Sequence, residues 1–172
     1  TIVHKANVLK VTDGLFLEAC RDIGKEFPEV AVDDVIVDAM MAHVVRNPQR
    51  FDVIVTSNMY GDILSDLTAE LSGSLGMAAS LNAGTDHGMA QAAHGSAPDI
   101  AGRGIANPAS LMLSTAMLFE HLGTTRDDRR MLDAAAAFTR AVDARLGSAR
   151  TRTRDLGGKM GTQAFASAVA KA

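Results

Sequence analysis

Asn58-Met-Tyr-Gly-Asp-Ile-Leu-Ser-Asp66 follows Phe51-Asp-Val-Ile-Val-Thr56, an apolar run rich in β-branched residues. The run is long enough for a buried strand. After it the apolar spacing turns helical through Ile63, Leu64, Leu67 and Leu71. This predicts a strand-to-helix turn, bent at Gly61, and a helix over 62–71. Asp62 and Asp66 then stand one turn apart on one face. Like charges at that spacing cost roughly a few tenths of a kcal/mol unless a cation sits between them. A hard divalent ion such as Mg²⁺ or Mn²⁺ takes carboxylate oxygens in that arrangement. The plainer reading is a solvated acidic helix start, where Asp62 favours the helix dipole.

The same alternation extends upstream. Residues 1–4 read as a short strand. Residues 12–27 read as a helix that Thr12 or Asp13 can cap, with Leu15, Phe16, Ala19, Cys20 and Ile23 on its apolar face. Phe27-Pro-Glu29 ends it. A second strand is expected over 30–37, and a helix from Asp38 to Asn47-Pro48. Strand, helix, strand, helix at this spacing is the α/β signature. Ser72-Gly-Ser-Leu-Gly76 is a composition break that suits a crossing between domains.

Downstream, 77–81 reads as a strand and 82–88 as a polar loop. A long loop without apolar periodicity fills 92–108. Loops of that length are functional or disordered, and this one has little of the charge that drives disorder. Asn107 and Pro108 suit a helix cap and first helical position, and Gly123 suits the stop of that helix. Further helices are expected over 129–146 and 161–170, with an exposed basic stretch at 150–154 between them.

The chain has 172 residues, 47% of them hydrophobic, enough for one core or two small ones. It shows no apolar run of membrane-spanning length and no basic-then-apolar leader. A net charge of −3 argues against a nucleic-acid surface. The single cysteine, Cys20, excludes an internal disulfide and a cysteine-based zinc site. A reducing, cytoplasmic location is expected. Thr1-Ile-Val3 opens a strand with no initiator Met before it, so a piece of a longer protein is expected.

Asp38, Asp62 and Asp66 each stand just after a strand end or on the first turns of a helix. In open α/β sheets that edge is where ligands bind. Lys5 occupies the same kind of position, and a lysine beside a carboxylate-bound metal can act as a general acid or base. Taken alone, Lys5 is a surface lysine. In the 92–108 loop, backbone N–H groups of Gly95, Ser96 and Ala97 can approach a phosphate closely. Asp99 can accept from a ribose diol, and its charge repels a 2′-phosphate. The loop is neither a Walker loop nor G-x-G-x-x-G, so a structural Gly/Pro-rich loop is the alternative.

His4-Lys5-Ala-Asn7, Val37-Asp38, Asn58-Met-Tyr-Gly-Asp-Ile-Leu-Ser-Asp66, Gly73-Ser-Leu-Gly76, His94-Gly-Ser-Ala-Pro-Asp-Ile-Ala-Gly102, Ile105-Ala-Asn-Pro108 and Asp155-Leu-Gly-Gly158 occur in that order. The chain thereby resembles, over essentially its whole length, the C-terminal half of the isocitrate/isopropylmalate dehydrogenase family of β-decarboxylating dehydrogenases. The resemblance implies a two-domain α/β sandwich of non-Rossmann type, with the active site in the cleft between domains. Residues 1–73 would belong to the smaller, dimer-forming domain, and 74–172 to the larger, NAD-binding one. It implies oxidation and decarboxylation of a (2R,3S)-2-hydroxy acid bearing a 3-carboxylate, with NAD and Mg²⁺ or Mn²⁺, in a homodimer with shared active sites. Asp62 and Asp66 would hold the metal in their own subunit, and Asp38 would complete the set from its partner. Lys5 would relay a proton across the dimer, and Asn7 would approach nicotinamide and substrate. His94, Gly95, Ser96, Ala97, Asp99 and Ile100 would wrap the adenosine and phosphates, with Asn107 at the adenine.

The chain departs from the family at Met89-Ala-Gln-Ala-Ala93, where an acidic, proline-containing segment is usual, and at Ala39, where Asn is frequent. The catalytic tyrosine and the substrate arginines belong to the other half of the family's fold, and Tyr60 is not that tyrosine. Isocitrate and 3-isopropylmalate rank together as substrates, ahead of homoisocitrate and tartrate-like acids. The rival readings are a non-catalytic regulatory subunit and an inactive fragment. Such subunits tend to lose the metal aspartates or the lysine, and all four are present here.

Overall fold

The computed structural model describes residues Thr1–Ala172. They form two compact units, Thr1–Leu71 and Ser72–Ala172. The first contains β1 (Ile2–His4), α1 (Thr12–Gly24), β2 (Asp34–Ile36), α2 (Val37–Arg46), β3 (Val55–Thr56) and most of α3 (Asn58–Ser72). The strands are all parallel, in the order β2-β1-β3. Parallel neighbours need long crossovers, which the helices supply. Every residue of central β1 is buried, as a strand covered on both faces must be. Val3, Met40, Val44 and Leu64 make the core, with Phe51, Ile54 and Leu67 packed against them.

The strands are shorter than the apolar runs suggest. β2 starts at Asp34 rather than 30, and β3 spans only Val55–Thr56 rather than 51–56. β1 offers three residues for pairing; β2 uses all of them, and β3 pairs with Ile2 and Val3 alone. Phe51 and Ile54 still pack on the core without joining the ladder. α3 begins at Asn58, and Gly61 lies inside its first turn, donating its N–H to Ser57 O at 2.8 Å. The bend expected at Gly61 is absent. α1 has no side-chain cap, and neither Thr12 nor Asp13 fills that role. The apolar face expected of α1 is largely in the open, with Leu15 66% and Ile23 57% exposed.

The second unit holds a hairpin of β4 (Ala79–Ala83) and β5 (Gly88–Ala92), then α4 (Ala109–Thr125), α5 (Arg129–Leu146) and α6 (Thr162–Val169). The hairpin is antiparallel, from Ala79 opposite Ala92 to Ala83 opposite Gly88. β5 falls where no strand was expected, because Gly88-Met-Ala-Gln-Ala92 has no β-branched residue. Buried Ser114 of α4 fixes it, accepting from Ser80 N–H at 3.0 Å and donating to Gln91 O at 2.7 Å. Ala109, Val142, Phe165 and Val169 form this unit's core. α4 runs through Gly123 instead of stopping there. A Cβ at Gly123 would lie 2.8 Å from Leu132 of α5, so the glycine permits a close helix crossing.

Candidate functional site

His4 and Ile36 are opposite one another in the β1–β2 ladder. The residues just beyond them are therefore neighbours, which brings Lys5 to Asp38 in the first turn of α2. The Lys5 ammonium donates to the Asp38 carboxylate. The lysine side chain is 25% exposed and the aspartate 69%. The Lys5 hydrogen bond, followed by the residue's own backbone N–H, holds the Asp38 carboxyl below its ordinary range. Asn7 is exposed two residues further on, in a turn where Lys5 O accepts from Val8 and Leu9 N–H at 2.9 Å each.

Asp62 and Asp66 are both exposed on α3, one turn apart on one face. Neither belongs to an ion pair, whereas Asp22, Asp33, Asp34, Asp38, Asp128 and Asp133 all do. No cluster of three His, Cys, Asp or Glu side chains is close enough to hold a metal ion. One chain therefore presents two separate pieces, the Lys5–Asp38 pair and the Asp62–Asp66 pair, and does not gather the three carboxylates.

The second unit contains a cavity of about 730 Å³, within the range of small-molecule sites. Of the expected cofactor residues, His94, Gly95, Ser96, Ala97, Ile100 and Asn107 line it. Asp99 does not; it is exposed in the short helical turn Pro98–Ile100, next to lining residue Ile100. The N–H groups of Gly95, Ser96 and Ala97 make no backbone hydrogen bond. That leaves three adjacent donors at the cavity wall. Ala97 is held at φ +41°, a left-handed conformation costly for a residue with a Cβ. Gly102 and Gly104, at φ +75° and +61°, take the same region without that cost.

Asn107 shares the holding of this wall with residues to which the sequence assigned no site role. Gly104 O accepts from Thr162 N–H at 2.9 Å, and the Thr162 hydroxyl donates to Ala106 O at 2.5 Å. Asp155 Oδ2 accepts from Ser74 Oγ at 2.7 Å and from Asn107 Nδ2 at 2.9 Å. Partial burial pushes the Asp155 carboxyl up, but its hydrogen bonds, with Ser74 foremost, leave it below the ordinary value. Asn107 Oδ1 accepts from Ala109 N–H at 3.0 Å, so this side chain braces the helix start although Pro108 occupies the cap position. A Cβ at Gly76 would lie 2.8 Å from Asn107 Cβ, so only glycine lets the Ser74–Gly76 turn approach. Ser74 and Asp155 are 81 residues apart, and no local pattern announces such a pair.

The family model for isocitrate/isopropylmalate dehydrogenase matches residues 1–169. Isocitrate/homoisocitrate dehydrogenase of Thermus thermophilus is 50% identical over 171 residues, 99% of this chain and 49% of the relative. The 3-isopropylmalate dehydrogenase of Archaeoglobus fulgidus is 43% identical over 170 residues, 99% of this chain and 50% of the relative. The crystal structure of isocitrate dehydrogenase from Methylococcus capsulatus superposes with a TM-score of 0.92 at 49% identity, covering 99% of this chain and 49% of that one. The chain spans about half the length of the curated relatives it matches.

Proposed function

Because the chain belongs to the isocitrate/isopropylmalate dehydrogenase family, we propose that it serves the NAD-dependent oxidative decarboxylation of a 2-hydroxy acid bearing a 3-carboxylate. Isocitrate and 3-isopropylmalate are the leading substrates. The observation that carries this reading is the Lys5–Asp38 contact at the carboxyl edge of the β1–β2 pair. It sets an amine beside a metal-type ligand, as proton transfer from a metal-held hydroxyl requires.

Asp62 and Asp66 suit a hard cation. They are two exposed carboxylates on one face, and neither is in an ion pair. Mg²⁺ or Mn²⁺ there would draw electron density from the substrate's hydroxyl and carboxylate, and NAD would accept the hydride. Lys5 first gives its ammonium proton to solvent and, as the neutral amine, takes the hydroxyl proton, directly or through water. The third carboxylate is Asp38 of the partner subunit, in a homodimer whose two sites are shared. The Gly95–Ala97 donors face the cofactor phosphates, Asn7 approaches the nicotinamide, and the acid at Asp99 favours NAD over NADP. The lone Cys20 suits a reducing cytoplasm. No helix is long and apolar enough to cross a membrane.

The test is Mg²⁺ titration of the protein in its natural full length, with each hydroxy acid in turn. Asp62→Asn lowers metal-dependent turnover by about a hundredfold or more, with the circular dichroism spectrum unchanged. Turnover that survives this change sinks the metal assignment.

A further inference from the structure

The Lys5 peptide is gripped from two sides by buried polar side chains. Its own N–H donates to Asp13 Oδ2 at 2.7 Å, and the next one, of Ala6, donates to His4 Nδ1 at 3.0 Å. Asp13 is 8% exposed and His4 5%. Asp13 is the one buried residue of α1, a helix that leaves Leu15 and Ile23 in the open. Burying a carboxylate while exposing leucine runs against desolvation, so core packing does not explain the choice.

No cation pairs with Asp13. It stands instead near Tyr60, whose phenol is pushed up by burial and then by the Asp13 charge. Tyr60 lies on α3, two residues before Asp62. The His4 ring is fixed at its other end as well. Because Nδ1 accepts, the proton sits on Nε2 and points at Asp34 Oδ2, 3.1 Å away. Asp34 is held in turn by Arg21.

We propose that Asp13 and His4 are positioning residues for Lys5, fixing its backbone so that the side-chain nitrogen stays beside Asp38 and within reach of the substrate hydroxyl, whether it carries the proton or has given it up. Lysine's flexible four-carbon stem gives no such precision by itself. Anchoring both the peptide and the ammonium removes that freedom before substrate arrives. The inference rests on the proton-relay reading of Lys5.

The experiment compares Asp13→Ala, Asp13→Asn, His4→Ala, His4→Asn and Lys5→Ala in the natural full-length protein. Readouts are kcat, KM, the solvent deuterium isotope effect and the folded fraction. Asp13→Ala is expected to lower kcat by roughly a hundredfold with KM little changed. Its solvent isotope effect rises, because transfer through a misplaced amine becomes slower. Asp13→Asn, whose amide oxygen accepts the same N–H, recovers to within about tenfold of the parent. His4→Asn keeps an acceptor at the Nδ1 position and outperforms His4→Ala.

If Asp13→Ala folds and keeps the parental kcat and isotope effect, the proposal is overturned. If it does not fold, the histidine pair decides. His4→Ala slowed and His4→Asn restored supports positioning; parental rates in both overturn it. Lys5→Ala separates the two levels. Full turnover there overturns the relay reading itself, whereas an inactive Lys5→Ala beside fully active Asp13 and His4 variants overturns positioning alone.

Discussion

Asp155 takes hydrogen bonds from Ser74 and Asn107 on one oxygen while its partial burial opposes its charge. The bonds win, and the folded-state carboxyl lies below the ordinary value of 3.8. A depressed folded value contributes stability that is present above the unfolded pKa and lost as pH falls through the folded one. Asp155→Asn should therefore cost about 1 kcal/mol at neutral pH, a figure already reduced for the residue's exposure. As pH falls through the folded-state value of Asp155, the variant and parent should converge. Urea unfolding across that range reads this, and a gap independent of pH refutes it. The proposed metal and proton-relay residues, Lys5, Asp38, Asp62 and Asp66, were legible in the sequence as candidates because they were expected just after strand ends or on the first turns of helices. Asp155 with Ser74 was not, because its partner is far along the chain. Asp13 was visible only as a possible cap, and its bond to Lys5 N–H depends on how α1 meets β1.

Gly123 illustrates how an element can be read correctly in type and wrongly in extent. A glycine after an apolar-periodic stretch signals a helix stop, yet α4 passes through it and α5 packs against it. Alanine at a free helical position stabilises by about 1 kcal/mol over glycine. Here the added methyl meets Leu132 Cδ2 at 2.8 Å and Leu132 N at 3.0 Å. The leucine tip can rotate away, but the backbone nitrogen moves only with the helix. Gly123→Ala should therefore destabilise by about 1–3 kcal/mol, seen as a lower denaturant midpoint with an unchanged m-value. A higher midpoint means the two helices do not approach as closely as described. Helix periodicity survives such local surprises, which is why α5 matches its expected range of 129–146 at both ends. Strands carry less of their own signal. The length of β2 follows from β1, which it pairs along its whole extent, and β5 follows from Ser114 of a helix that comes later in the chain.

One chain supplies Lys5 with Asp38 in one place, Asp62 with Asp66 in another, and no cluster that completes a metal site. Met59 and Ile63, spaced around Asp62 on α3, are 61% and 55% exposed, and Val45 of α2 is 56% exposed. Acids bordered by uncovered apolar side chains suit a surface that a second copy covers. Under the proposed shared-site dimer, a two-fold axis lends each subunit's Lys5 and Asp38 to the other's Asp62 and Asp66. This makes a quantitative prediction for two inactive variants. Asp62→Asn alone has no intact site, and neither does Lys5→Ala. In a mixed dimer, one site combines both defects and the other combines the native Asp62 of one subunit with the native Lys5 of its partner. Equal amounts after full subunit exchange give half mixed dimers, each with one working site of two, so about a quarter of parental activity returns. If each site were built within a single chain, every site in the mixture would carry one defect and no activity would return. Sedimentation of the same mixture checks the assembly: a dimer must accompany restored turnover, and a monomer in which no turnover returns would contradict the shared-site dimer.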